Sequence, residues 1–393
     1  MANTTTEASS NAVTAQIDRN AAVDFFEELA AEADIRINGD RPWDMQVYNP
    51  AFLSQALSSG APLAFAEAYM KGWWDCEQLD GLITRVLHAH LQKKVRKLGT
   101  LQLLKAYLSA TIINKQDPDR AFQVGEVHYD IGNDLYRRML DSRMIYSCGY
   151  WANTDNLEDA QHQKLDMICR KLKLEPGMTL LDIGCGWGGL AEFAARHYGV
   201  EVTGITISKE QQKLAQEYCA GLPVDIRLID YRALEGEFDR IVSVGMFEHV
   251  GRKNYRVYFE TVSRLLKQDG LFLLHTIGTD RENNSVDPFI EKYIFPNGEV
   301  PCRRLINDNS LGLLRLEDWH NFGADYDRTL MAWWHNFERA WPELEEEYGQ
   351  GNFYRMWKYY LLSCAGYFRS REGQLWQIVY TKPQSMCEYR SLR

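Results

Sequence analysis

Residues 179–208 read TLLDIGCGWGGLAEFAARHYGVEVTGITIS. An apolar run enters a turn dense in glycine, a stretch of helical periodicity follows, and a second apolar run closes the segment. Glycine lets the chain turn sharply from strand to helix and bring its backbone close to a ligand. The pattern continues downstream. VDIRLIDY, FDRIVSVGMF and LFLLHTIG read as further strands, and KNYRVYFETVSRLLKQDG reads as the helix before the last of them. Strands alternating with helices at these lengths predict an α/β chain with a doubly wound, mostly parallel, Rossmann-like sheet.

The turn carries Asp182, Gly184, Cys185, Gly186, Gly188 and Gly189. Gly184, Gly186 and Gly189 satisfy the dinucleotide spacing G-x-G-x-x-G. That fingerprint requires an acid about 20 residues further on, at the end of the second strand, to hold a ribose hydroxyl. Thr206 and Ser208 stand there instead. Asp182 directly before the turn completes D-x-G-x-G-x-G, which resembles the fingerprint of S-adenosylmethionine (SAM) methyltransferases. In that family the turn receives the zwitterionic amino acid end of SAM. Without the strand-two acid, the ribose falls to Thr206, Ser208 and Gln211, and Tyr231 with Arg232 in LIDYR stand where the adenine is expected.

At 393 residues the chain exceeds one ordinary core, and two domains are expected. The net charge of −10 argues against general affinity for nucleic acid. No uninterrupted apolar run reaches the ~18 residues of a membrane span, and MANTTTEASSNAVTAQ has no apolar signal core. A cytoplasmic protein is therefore expected. In that compartment the eight scattered cysteines, with no C-x-x-C pair, read mostly as small buried hydrophobes, and no metal site is expected.

Residues 1–16 read as a disordered tail, and 17–90 as a small, helix-rich N-terminal module for lipid binding or dimerisation. Within that module INGDRPWDMQV suggests a hairpin around Asn38-Gly39. Residues 91–122 read as a linker helix, with Lys93, Lys94, Arg96 and Lys97 at its basic end. Such a stretch either contacts an anionic bilayer or is a solvated interdomain helix. Residues 123–393 read as the catalytic domain, with a helical, aromatic-rich region over 315–380.

The segments GEVHYDIGNDLYRRMLDSRMIYSCGYW, LDIGCGWGGLAEF, VSVGMFEHVGRKNY, LLHTIG, DWHNFGADYDRTLMAWW and LLSCAGYFR together resemble the bacterial cyclopropane-fatty-acyl-phospholipid synthases. The resemblance covers nearly the whole chain. It implies transfer of the SAM methyl to a cis double bond of an unsaturated phospholipid acyl chain, followed by ring closure. An alkene is a weak nucleophile, and its methylation leaves a carbocation, so a dry pocket lined with aromatic faces suits the reaction. Ring closure requires a base. From the residues alone, Glu248 or His249 in MFEHVG is a candidate. The resemblance implies instead a bound bicarbonate held by Cys148, Glu248, His275, the backbone of Ile277, and Tyr326. It also brings Cys364 into the pocket, and places Tyr146 and Ser147 over SAM, with His128 and Tyr129 in a lid. The alternatives are a SAM-dependent enzyme that makes methyl-branched lipids or methylates a small amine, and a non-catalytic lipid carrier. The expected partner is the bilayer, met peripherally at its inner face, and a homodimer is expected.

Overall fold

The computed structural model describes residues 23–53, 61–91, 132–281, 286–349 and 351–393. The expected tail and the basic stretch 93–97, like His128 and Tyr129, lie outside the described residues. The chain divides into two compact units.

The first unit combines the N-terminal residues with Asp287–Phe289 and Glu345–Ser370. It contains α1 (23–32), β1 (Gln46–Val47), α2 (Ala61–Met70), β2 (Trp74–Asp75), α3 (Leu79–His88) and, from far along the chain, α11 (Phe353–Arg369). A single catalytic domain over 123–393 therefore does not describe the molecule. α11 packs along α2 and α3, and Gly366 makes the approach possible, because a Cβ there would meet Asp80 O at 2.8 Å. Arg355 fastens the helix by donating to Tyr69 O (2.6 Å), Asp75 Oδ2 (2.9 Å) and Trp74 O (3.0 Å). Its guanidinium also lies 4.0 Å from the centre of the Tyr69 ring. Arg355→Met is expected to cost about 2 kcal/mol, because one carboxylate and two carbonyls lose their donors together. Thermal unfolding followed by circular dichroism checks this.

The hairpin expected around Asn38-Gly39 does not form. Ile37 and Met45 meet in one parallel bridge, and β1 pairs antiparallel with β2. The reason is Asp44, whose carboxylate accepts from Arg36 N, Arg41 N and the Arg41 guanidinium, curling the chain where strands would pair. Those donors hold the Asp44 carboxyl well below the usual range.

The second unit is built on a seven-stranded sheet in the order β5-β4-β3-β6-β7-β9-β8. Its strands are β3 (Thr179–Ile183), β4 (Glu201–Thr206), β5 (Val224–Leu228), β6 (Phe238–Val244), β7 (Leu266–Gly278), β8 (Arg315–Asn321) and β9 (Gln374–Thr381). β5 to β7 in that order are parallel, as expected, while β9 and β8 add an antiparallel edge. The region 315–380, read as helical, thus opens and closes on strands. β9 pairs residue by residue with β7 from Phe272 to Gly278, so the backbone groups on that side of β7 find partners without another crossover helix.

Successive residues of a strand face opposite sides of the sheet. Leu180 of β3 enters one core with Ile168 of α5 (Leu157–Lys171), Phe193 of α6 (Gly189–Tyr198) and Ala215 of α7 (Lys209–Tyr218). Leu181 enters the other, with Tyr258 and Phe259 of α8 (Tyr255–Leu265) and Ile306 of α9 (Arg303–Ser310). A short α4 (Asn133–Met139) precedes α5, and α10 (Ala324–Tyr348) follows β8. From β3 the chain moves outward through β4 and β5, then crosses to the other side as β6. The carboxyl ends of β3 and β6 therefore diverge, and such a divergence is where open α/β sheets hold ligands.

Candidate active site

A cavity opens at that divergence. Tyr146, Ser147, Asp182, Gly184, Cys185, Gly186, Gly189, Thr206, Ser208, Gln211, Tyr231 and Arg232 all line it. Gly188, expected with them, instead starts α6 in the left-handed conformation, and its missing Cβ makes room for Ala215 and Cys219. Gly184 has φ +84°, and a Cβ there would stand 2.8 Å from Met246. Here the turn needs glycine for both its dihedral and its space.

Beyond β4, Ser208 caps α7 by accepting from Gln211 N at 3.3 Å. Thr206 Oγ1 donates to Gln211 Oε1 at 3.0 Å and accepts from Ser208 N at 3.1 Å, so the three residues form one hydrogen-bonded group. Beyond β5, both Arg232 Nε and Nη2 reach Asp230 at 2.7 Å, which holds the guanidinium beside the cavity. Burial raises the Tyr231 hydroxyl to about 12, so it stays protonated.

His249 and Lys164 also line this cavity, and sequence reasoning assigned neither to the cofactor. His249 was weighed there only as a base. Burial lowers its pKa to about 4, so it is neutral. Lys164, on α5, lies wholly within the protein. The signal for it was present: Lys164 falls on the stripe of Ala160, Ile168 and Lys171, the buried face of α5.

The second group forms around the ends of β6 and β7. Glu248 follows β6, and its Oε1 accepts from Ile277 N at 2.7 Å. Its Oε2 is buried without a partner, and desolvation raises the carboxyl to about 7. His275 of β7 faces Gln377 of β9 in the ladder, with Gln377 Nε2 3.3 Å from His275 Nδ1. The tautomer sets which of the two donates; the other ring nitrogen is Nε2. That Nε2 is buried without a partner, and burial holds the ring well below its ordinary pKa. Cys148 is fully buried against Met167, Phe322 and Leu375, with Ile277 and Tyr326 packed on the same cluster. Its Sγ donates to Gly149 O at 3.1 Å and accepts from Thr329 Oγ1 at 3.7 Å. Desolvation raises its pKa far above the ordinary thiol value, so Cys148 is a neutral thiol and a poor nucleophile.

In the second unit Ile277 links Glu248, through its N–H, to the cluster of Cys148, Phe322 and Tyr326, and His275 meets the Phe322 ring edge-on at 5.8 Å. Cys364 belongs to the first unit, on α11, and burial raises its thiol to about 12. The aromatic density divides in the same way. Tyr326 and Tyr146 meet Trp333 at centroid distances of 6.1 and 5.2 Å, whereas Tyr360 joins Trp357 on α11 at 5.2 Å.

A family model described as "Mycolic acid cyclopropane synthetase" matches residues 116–378, more than half of the chain. The chain belongs to the cyclopropane synthase family. It is 54% identical to the "Cyclopropane-fatty-acyl-phospholipid synthase" of Escherichia coli strain K12, over 90% of this chain and 92% of that protein. It is 40% identical to a "Probable fatty acid methyltransferase" of Pseudomonas putida, over 65% of this chain and 68% of that one. Among solved structures, the mycolic acid cyclopropane synthase CmaA1 complexed with SAH and CTAB superposes with a TM-score of 0.62. The two share 32% identity, over 66% of this chain and 98% of that one. Members of this family are SAM-dependent methyltransferases.

Proposed function

We propose that the protein transfers the methyl carbon of SAM to the cis double bond of an unsaturated phospholipid acyl chain and closes a cyclopropane ring. One observation carries the ring-closing half: Glu248 Oε2 and His275 Nε2 are both buried and unpartnered, and Ile277, which donates to Glu248, packs with the neutral Cys148. A buried polar atom without a partner is costly, and in the tautomer with its proton on Nε2 His275 would supply a donor to match the Glu248 acceptor, a pair that suits a small ion with a single O–H. Bicarbonate fits that donor set. His275 Nε2–H and the Tyr326 hydroxyl would donate to it, Glu248 would accept, and the Cys148 thiol would donate once turned from Gly149 O. Because Ile277 N already donates to Glu248, Ile277 would act by orienting that carboxylate. When bound, bicarbonate supplies a base that no side chain in the pocket needs to be.

In the reaction the alkene attacks the methyl carbon, the C–S bond breaks with its electron pair left on sulfur, and S-adenosylhomocysteine forms. The new methyl then loses a proton, and the released electron pair closes the ring. The chain's own part is to align methyl and alkene, exclude water, face the cation with Tyr326 and its aromatic neighbours, and draw off the proton through Glu248. A neutral thiol, and a histidine that would present N–H in this tautomer, offer the cation no strong nucleophile.

Incubation with SAM and vesicles of unsaturated phospholipid, followed by mass spectrometry of the acyl chains, tests the reading. The expected product carries one extra methylene and no double bond. A methyl-branched product would replace this proposal with the fatty acid methyltransferase reading. Cys148→Ser is expected to leave S-adenosylhomocysteine affinity within about twofold while lowering turnover tenfold or more. Calorimetry and the vesicle assay separate the two effects.

The same reading includes reversible contact with the inner face of the membrane by a cytoplasmic homodimer. No helix among the described residues is long and apolar enough to cross a bilayer, so access to the acyl chain would come from the surface.

A further inference from the structure

Two lysines lie on the buried face of α5, and they are satisfied very differently. Lys171 Nζ meets His320 Nδ1 at 3.0 Å and Asp318 Oδ2 at 3.7 Å. Lys164 Nζ makes its hydrogen bond to a hydroxyl, Ser147 Oγ, at 2.9 Å. Among the described residues no carboxylate oxygen comes within 4.0 Å of it, although Asp141 and Asp182 bear on it electrostatically. An ammonium has three donors, and a buried one without a close counter-charge costs several kcal/mol. Lys171 has the partners of a structural ion pair, and Lys164 does not.

The position of Lys164 indicates what is missing. It lines the cofactor cavity with Ser147, Asp182 and Gly184, at the turn where the amino acid end of SAM is expected. Its helix also fixes Ser147 from the other side, since Gln161 Nε2 donates to Ser147 O at 2.8 Å. Thus α5 holds the ammonium and its tether in one place before any ligand arrives. The ligand offers a carboxylate, an anion of the right charge to complete the lysine.

We propose that Lys164 is a cofactor-binding residue whose ammonium, tethered by Ser147, pairs with the carboxylate of the amino acid end of SAM. The inference rests on the cavity being the SAM site. Desolvation lowers Lys164 to about 8, so it is mostly charged at neutral pH and gains most from such a partner.

Two probes separate this role from a merely structural one. S-adenosylhomocysteine carries the carboxylate, and 5′-methylthioadenosine lacks the whole amino acid. Calorimetric titration of Lys164→Met and Lys164→Gln is expected to show S-adenosylhomocysteine weakened by about tenfold or more, with 5′-methylthioadenosine within about twofold of the parent. Equal weakening of both probes, or no weakening of either, overturns the proposal. Ser147→Ala keeps the charge and removes the tether. It is expected to reduce the preference for S-adenosylhomocysteine over 5′-methylthioadenosine by about threefold, and an unchanged preference counts against the proposal even if the lysine variants fail to fold. A parent protein that binds neither probe would instead remove the SAM assignment of the cavity.

Discussion

Glu248→Gln is expected to lower turnover by about two to four orders of magnitude while making the protein more stable above neutral pH. Both effects follow from one buried carboxyl. The glutamine amide oxygen can still accept from Ile277 N, so the loop geometry survives, but the amide nitrogen in place of Oε2 can neither accept the O–H of a bound bicarbonate nor take up its proton. The stability effect has a definite sign. Glu248 ionises near 4.5 in an unfolded chain and near 7 in the folded one, because burial disfavours its charged form. Well below 4.5 both states hold the proton, and the substitution gains nothing from this source. As pH rises from 4.5 to 7 the unfolded chain sheds its proton first, so the folded state loses stability, and above 7 the loss is complete. Glutamine has no such loss. The variant is expected to gain about 2 kcal/mol at about pH 8 and little at about pH 4, read from thermal melts at both values. A loss of turnover without the pH-dependent gain would mean that Glu248 is better solvated than its surroundings indicate.

Gly184→Val is expected to weaken S-adenosylhomocysteine binding by about a hundredfold or more while leaving the sheet intact. A β-branched residue at φ +84° is strained by at least about 1–2 kcal/mol. Its Cβ would also displace Met246, which lines the same cavity. The turn would have to open, and the backbone would withdraw from the position the cofactor needs. Calorimetry measures the affinity, and far-ultraviolet circular dichroism reports the sheet. Near-parental affinity would show that the cofactor does not use this turn.

How far these residues could be read from sequence depended on how local their geometry is. The turn was legible because glycine spacing, Asp182 and the apolar runs on either side act within a few residues of one another. The absence of an acid after β4 was equally local, and it turned the cofactor reading from a dinucleotide to SAM. The group of Cys148, Glu248, His275, Ile277 and Tyr326 was different. Its members are spread over the chain and carry no shared pattern, so resemblance to a family named them where periodicity could not. Lys164 was missed although it stood on an apolar stripe, because a lysine among charged neighbours reads as solvated unless the helical phase is followed.

The parallel α/β core, the glycine turn and the chemistry that turn can receive were all legible in the order of the residues, because each follows from neighbours along the chain. Long-range pairing alone established that β9 and β8 complete the sheet, that α11 with Cys364 belongs to the first unit, and that Gln377 stands opposite His275. Those outcomes depend on pairings between distant segments: β7 has backbone groups to satisfy, α11 has Gly366 for a close approach, and His275 has Gln377 opposite it across the ladder.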